Sequence, residues 1–133
     1  MRYEEWQAGV HNDIKGDSLW KLEVYRLGLF ISDIAWQDAL ELNKNHLTRG
    51  IADQLYRAVC SISANIAEGY KKKGKADKAR LMNIAQGSIG ECQYYLILAK
   101  DPGHAENSLL INLLDEISKM LQSYITKILS SNS

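Results

Sequence analysis

The chain has 133 residues, of which 46% are hydrophobic and 24% charged, values typical of an ordinary soluble protein of one domain. Sixteen basic residues balance sixteen acidic ones, so the net charge gives no general attraction to nucleic acid or to a membrane surface. The apolar runs are too short to span a bilayer and no signal segment opens the chain, so we expect a cytoplasmic location. The two cysteines, Cys60 and Cys92, lack disulfide or metal-site spacing and are expected to be small buried hydrophobes.

Residues 1–16 lack clear periodicity and are expected to form an N-terminal arm, either flexible or folded as a short added helix. The domain that follows, residues 17–133, begins with a helix predicted over about residues 18–40, with Ser18 as its N-cap. Beside its main apolar row this helix carries a second apolar set, formed by Leu19, Leu22, Leu29 and Phe30. Because one core needs only one apolar stripe, the second set predicts contact with another subunit.

Three further helices are predicted over about residues 48–68, 76–100 and 106–129. Gly69 is a suitable left-handed residue to end the second helix, and Asp101-Pro102-Gly103 breaks the third. Short connections between long helices favour antiparallel neighbours. The sequence therefore predicts an all-α chain folded as an antiparallel up-down-up-down four-helix bundle.

A row of polar residues lies beside the apolar face of the second predicted helix. It consists of Arg57, Ser61, Asn65 and Glu68. The row is only about 120° from the apolar stripe, and polar groups at such a boundary are costly unless they are paired. If the second and third helices form a hairpin, Arg57 comes within reach of Ser88 and Glu91. We therefore predict an Arg57–Glu91 ion pair, with fixing of helix register as its better-attested role.

Two glycines, Gly87 and Gly90, lie in the middle of the third predicted helix. Each costs about 1 kcal/mol relative to alanine at such a position. The simplest explanation is the close approach of another helix, which a missing side chain permits. A ligand that touches the backbone is the alternative.

The connection between the second and third helices is strongly basic, with six basic residues and one acid between residues 71 and 80. The basic residues are Lys71, Lys72, Lys73, Lys75, Lys78 and Arg80. In one subunit they are explained as a solvated turn whose charges complement the C-terminal end of a helix. Repeated around a ring, they would form a continuous surface that binds phosphate backbones by counterion release. Tyr70 is the one aromatic residue beside them, so no platform for base stacking is evident.

Signatures of catalysis are missing from the sequence. His11, His46 and His104 lie in the arm or in predicted loops, and none follows a glutamate by three residues, the spacing of bundle metal sites. No phosphate-cradling glycine loop and no Ser–His or Cys–His pair can be nominated. We therefore expect a protein without enzymatic activity, cofactor or metal.

Two motifs carry a resemblance to a known family. They are Arg57-Ala58, Ser61-Ile62 and Asn65-Ile66-Ala67-Glu68-Gly69-Tyr70, followed by Ile84-Ala85-Gln86-Gly87-Ser88 and Glu91. From about residue 19 to residue 129 the chain resembles the bacterial four-helix-bundle family encoded in intervening sequences of 23S ribosomal RNA genes. It is similar also to the accessory variability protein of diversity-generating retroelements.

This resemblance implies a homopentameric ring or barrel. For the retroelement relatives it further implies nucleic-acid binding through basic surfaces and association with a reverse transcriptase. Roles in folding and assembly are implied for the matching residues, which are Arg57, Ser61, Asn65, Glu68, Gly69, Gly87, Ser88 and Glu91.

Two functions of different classes are consistent with the sequence. The first is a non-enzymatic homo-oligomeric scaffold that binds RNA or DNA weakly through residues 71–80, by electrostatic attraction and without base readout. The alternative is a protein–protein assembly module in which the apolar surface of the first helix recruits a partner. In that case the lysines are merely solvated.

Overall fold

The computed structural model of the chain describes residues 2–100 and 108–131. Its α-helices in this part of the chain are α1 (Tyr3–Gly9), α2 (Asn12–Lys15), α3 (Glu23–Asn43), α4 (Arg49–Lys71), α5 (Lys75–Lys100) and α6 (Ser108–Ser130), and a 3-10 turn covers Ser18–Lys21. The described residues contain no β-strand, so the predicted all-α class is confirmed.

The four long helices pack around one apolar core. Helix α3 packs on α4 and α6, and α5 packs on the same two helices. The largest fully buried side chains come from all four helices: Phe30, Ile31, Leu42, Leu55, Ile62, Ile66, Met82, Ile89, Leu110, Leu114, Ile117 and Leu121. Truncating one such side chain to alanine costs about 2–5 kcal/mol, so this core is the main source of stability.

Contacts between α4 and α5 define which parts of the two helices meet. Near the connection, Gly69 lies against Leu81. Further along, the hydroxyl oxygen of Ser61 lies 2.9 Å from that of Ser88.

The first long helix begins later than the sequence predicts. The residues from Ser18 form the 3-10 turn, and the Asp17 carboxylate accepts a hydrogen bond from the Leu19 amide at 2.9 Å. Leu22 has an extended backbone, and α3 begins only at Glu23. The predicted start of the α-helix at Ser18 is therefore wrong, because the extended Leu22 separates the 3-10 turn from α3. Asp17, and not Ser18, is the residue that caps the turn.

The sequence predicted that the second long helix, α4, ends at Gly69, and this prediction is wrong. The helix continues to Lys71, and Gly69 is buried within it against α5. A Cβ atom at this position would lie 3.1 Å from the Cβ of Leu81 and 3.1 Å from the Cε of Met82. Glycine is therefore needed here for the close approach of two helices and not for a left-handed backbone.

The N-terminal segment is folded onto α3 as short helices. Trp6 is only 8% exposed. Its ring centroid lies 5.9 Å from those of Tyr3 and Trp20 and 5.4 Å from that of Phe30. The indole N–H donates to the carboxylate of Asp33 at 2.6 Å. This segment thus extends the core of the protein with an aromatic cluster.

The second apolar set of the first predicted helix is covered within the chain. Leu19 and Phe30 are buried, while Leu22 and Leu29 are half-buried and pack against the core. This set therefore needs no second subunit to cover it, and its predicted contact with another subunit stays a prediction. The N-terminal segment supplies the cover, because Tyr3 and Trp6 contact Phe30 directly.

The predicted break at Asp101-Pro102-Gly103 and the first residues of the fourth predicted helix lie outside the described residues. Helix α6 is described from Ser108 onward. Within the described ranges, no helix contains an apolar stretch long enough to cross a bilayer.

Candidate functional site

The six basic residues predicted to bind nucleic acid lie around the connection between α4 and α5, and two of them have acidic partners. The Lys71 ammonium lies 4.0 Å from the Asp17 carboxylate, and the Arg80 guanidinium lies 3.6 Å from that of Asp77. All four side chains are at least half exposed. Exposed ion pairs contribute about 0–1 kcal/mol, so these acids offset part of the local charge without forming firm structural links.

Lys78 has a structural role at the end of α4. Its ammonium donates to the backbone carbonyl of Tyr70 at 2.7 Å and lies 5.6 Å from the centre of the Tyr70 ring. The last carbonyls of a helix have no partner within the helix, and a cation there also complements the helix dipole. Lys78 therefore stabilises the α4–α5 corner, while its charge remains part of the surrounding surface.

A concave surface with a volume of about 280 Å³ lies next to this corner, and we call it the basic groove. Its lining residues are Lys73, Lys75, Lys78, Tyr124, Lys127, Ile128 and Ser131. Four ammonium groups from the α4–α5 connection, α5 and α6 line the groove, and none of the lining residues in the described part of the chain is acidic. The predicted residues Lys71, Lys72 and Arg80 are not part of its lining.

Lys127 was missed by the sequence-based prediction. It is a single lysine in the last turn of α6, about 50 residues from the basic connection, and nothing in its local sequence marks it. Only the packing of α6 beside α5 brings it to the other lysines.

Tyr124 supplies a neutral hydroxyl beside the four lysines. Burial raises the pKa of the Tyr124 phenol above its usual value, and the nearby Tyr70 adds to this effect. The phenol therefore keeps its proton at neutral pH and can donate a hydrogen bond. Ammonium and hydroxyl donors without a competing carboxylate suit the oxygen atoms of a phosphate group.

A second groove, of about 430 Å³, lies between the N-terminal segment and α3. Its lining includes the acidic residues Glu5 and Asp33 together with Trp6 and Leu29. The two carboxylates would repel a phosphate group. This groove is therefore not a candidate for binding a nucleic-acid backbone.

The predicted Arg57–Glu91 ion pair is wrong within the chain. The Arg57 guanidinium instead lies 3.1 Å from the Asp53 carboxylate, one turn away on the same helix. Arg57 and Glu91 are both exposed, on the outer side of α4 and α5 respectively. An acid at the i−4 position is reached without crossing to another helix, which explains this choice of partner.

Serine and asparagine side chains provide the polar link between α4 and α5. The hydroxyls of Ser61 and Ser88 are in hydrogen-bonding contact at 2.9 Å. The Asn65 side-chain amide donates to the Ser61 hydroxyl at 3.0 Å and to the Ser61 carbonyl at 2.8 Å. Three of the motif residues therefore form one hydrogen-bonded unit, whereas Glu68 is exposed.

Gly87 and Gly90 lie on the outer side of α5, away from the core. A Cβ atom at either position would meet no heavy atom within 4 Å. The expected close approach of another helix is therefore not provided by residues 2–100 and 108–131 of this chain.

No group of three or more histidine, cysteine, aspartate or glutamate side chains within residues 2–100 and 108–131 could hold a metal ion. These observations define an all-α protein whose four long helices share one core and carry a basic groove at one corner. The model of the 23S rRNA-intervening sequence protein family matches residues 21–123. The chain belongs to this family, as the sequence motifs predicted.

One solved structure similar to the chain is the crystal structure of a protein with unknown function from the S23 ribosomal protein family of Bacteroides thetaiotaomicron. The two chains are 26% identical, with a TM-score of 0.72, and the match covers 77% of this chain and 97% of the other. No curated protein was found to match the chain. The similarity to the retroelement accessory protein stays a prediction.

Proposed function

We propose that this chain is the subunit of a non-enzymatic homo-oligomer that binds RNA or DNA weakly through the basic groove. The subunit itself is proposed to be an antiparallel up-down-up-down four-helix bundle. In support, the Gln86 amide donates to the Ser118 carbonyl at 2.9 Å and the Gln93 amide donates to Asp115 at 3.1 Å. Residue numbers rise along α5 while they fall along α6, as they also do between α5 and α4.

The single observation that carries the binding proposal is the composition of the basic groove. Lysines converge there from the α4–α5 connection, α5 and α6, and no acid is among the lining residues. The chain as a whole has no net charge, so the attraction to phosphate is local. Lys78 already binds backbone carbonyls, which leaves Lys73, Lys75 and Lys127 as the main phosphate contacts.

The proposed mechanism is electrostatic. Each lysine that neutralises a phosphate releases condensed counterions, which favours binding without regard to sequence. The groove contains one aromatic side chain, Tyr124, and this ring is half-buried, so stacking of successive bases is not part of the proposal. Binding at one groove is weak. A homo-oligomer can bind more tightly, because several of its subunits can contact one nucleic acid at the same time.

Fluorescence-anisotropy titrations at several salt concentrations test this proposal. With about three phosphates contacted per groove, the slope of log K against log salt for duplex DNA is expected near −2.7. Replacing Lys73 and Lys127 with glutamine should bring the slope to about −0.9 and weaken binding to all sequences alike. The matched control replaces Lys44 and Lys119, two exposed lysines outside the groove, and should bind like the wild type.

Two results would contradict the proposal. Equal weakening by both double variants would remove the groove as the site. An absence of binding even at low salt would remove nucleic acid as a ligand and would favour the second candidate, a protein–protein assembly module. That candidate is supported by the unpartnered outer side of α5 and not by the first predicted helix, whose second apolar set is covered.

The homopentamer implied by the family resemblance is part of this proposal. Multi-angle light scattering would measure its mass directly. Association with a reverse transcriptase stays a prediction from the resemblance to the retroelement accessory protein.

A further inference from the structure

The side of α5 that points away from the core carries an unexpectedly apolar surface, which we call the α5 outer face. It consists of Ile84, Gly87, Gly90, Tyr94 and Ile97. Ile84, Tyr94 and Ile97 are 43%, 57% and 63% exposed. The two glycines lower helix stability by about 1 kcal/mol each relative to alanine, and no atom of the described residues lies within 4 Å of the place where a Cβ would be.

A second apolar surface lies between α3 and α4, and we call it the α3–α4 groove. Its lining residues are Trp36, Ala39, Leu40, Asn43, Ala52, Asp53 and Tyr56, and its volume is about 200 Å³. Trp36 is 48% exposed and contacts the Tyr56 ring edge to face, and Leu40 is 44% exposed. About half of a large indole is thus exposed at the edge of a shallow depression.

The two surfaces lie on different sides of the subunit. Helices α3 and α5 both pack on α4 and α6, so they are diagonal to each other in the bundle. A contact that joins two different surfaces of identical chains is head to tail, and such contacts build rings or filaments. The distinction between a ring and a filament depends on whether each step also moves along the bundle axis.

The α3–α4 groove lies level with the C-terminal part of the α5 outer face. Ser61 of α4 is opposite Ser88 of α5, and the two helices run in opposite directions. Tyr56 is therefore level with about residue 93, and Ala52 with about residue 97. Contact between surfaces at one level adds little rise per subunit, which favours a closed ring over a filament.

Shape and charge are complementary between the two surfaces. The missing side chain of Gly90, about one turn from the level of Trp36, leaves space for the half-exposed Trp36 of another copy. An exposed acid, Glu91, borders the α5 outer face. An exposed base, Arg57, lies beside the α3–α4 groove, where it pairs with Asp53 of the groove lining at 3.1 Å and remains open to a second acidic partner from another copy.

From this complementarity we infer that the α5 outer face of one copy docks into the α3–α4 groove of the next, with Glu91 opposite Arg57. This inference rests on the proposed homo-oligomer and names the surfaces that join its subunits. It also gives Gly87 and Gly90 the close helix partner that the described part of a single chain does not provide.

A mixing experiment tests this arrangement. The variant Ile97→Asp damages only the α5 outer face, and Trp36→Asp damages only the α3–α4 groove. Each alone is expected to be a monomer in size-exclusion chromatography with light scattering. Mixed in equal amounts, they should form a dimer of twice the 15.0 kDa subunit mass and nothing larger, since one intact surface of each kind remains.

The matched control is Leu129→Asp, which replaces an exposed apolar residue of α6 outside both surfaces. It should assemble like the wild type. Circular dichroism checks that each variant is folded. If Ile97→Asp is unfolded, Ile84→Asp is used in its place, and if Trp36→Asp is unfolded, Leu40→Asp is used. These substitutes also lie at exposed positions.

Each other outcome overturns a defined statement. A monomeric wild type would refute the proposed homo-oligomer itself. A wild-type oligomer with variants that still assemble, or with a mixture that stays monomeric, would refute only the pairing of these two surfaces. Dimers of Trp36→Asp alone would show that the α5 outer face pairs with itself.

Discussion

Replacing Gly87 and Gly90 together with alanine should stabilise the folded subunit. Both positions lie in the middle of α5, where alanine is favoured over glycine by about 1 kcal/mol per residue. Neither new methyl group meets any atom within 4 Å, so no overpacking opposes this gain. We expect about 2 kcal/mol in all, which for a chain of this size raises the melting temperature by about 8 °C.

The measurement is urea denaturation followed by circular dichroism, at a dilution where the wild type is monomeric. Gly69→Ala is the matched comparison, since it makes the same substitution where a Cβ would lie 3.1 Å from the Cβ of Leu81. Overpacking of this kind costs about 1–3 kcal/mol, which cancels or exceeds the gain in helix propensity. Gly69→Ala should therefore be neutral or destabilising by up to about 2 kcal/mol.

The double alanine variant should also assemble more weakly than the wild type, because its methyl groups fill the space that the missing side chains leave on the α5 outer face. The same double substitution would then change subunit stability and subunit association in opposite directions. If the diluted variant is less stable than the wild type, the proposed open space around these residues is wrong. If its oligomer is unaffected, the glycines lie outside the interface.

The remaining predictions concern two buried side chains. Trp6→Ala should lower the free energy of unfolding by about 3–5 kcal/mol in denaturant titrations. The control Trp36→Ala, measured at the same dilution, should lower it far less because Trp36 is 48% exposed. Equal effects of the two substitutions would contradict the docking of the N-terminal segment on α3. Burial raises the pKa of the Cys92 thiol from 9.0 to about 12, so the folded state holds its proton more tightly than the unfolded state. The stability that Cys92 contributes should be complete below pH 9 and decline toward pH 12. Cys92→Ala should flatten this part of the pH–stability profile. A profile that is the same with and without the substitution would refute this prediction.

Periodic patterns in the sequence predicted the helices well, because helix formation depends on residues that are close to one another in the sequence. The apolar spacing of Ile62 and Ile66 indicates a buried helix face, and both side chains are buried in the core. The motif serines also lie where a hairpin of helices would place them, since Ser61 contacts Ser88. A repeat of 3.6 residues determines which side chains share a face, whatever the fold that follows.

Choices between alternative partners were not predictable in the same way. The sequence offers Arg57 both Asp53 and Glu91, and only the relative position of the helices decides for Asp53. Likewise, an apolar Phe30 needs a cover, but its sequence does not tell whether the cover is another subunit or the chain's own Trp6. Contacts of this kind depend on distances across the fold.

The sequence by itself thus determined the helical class, the core-facing rows and the basic character of the α4–α5 connection. Only the tertiary structure brought Lys127 to that connection and left Gly87 and Gly90 on an open face. The physical reason is that helix formation and amphipathic spacing are local properties of the chain. Which faces meet is decided by packing between segments that are far apart in sequence.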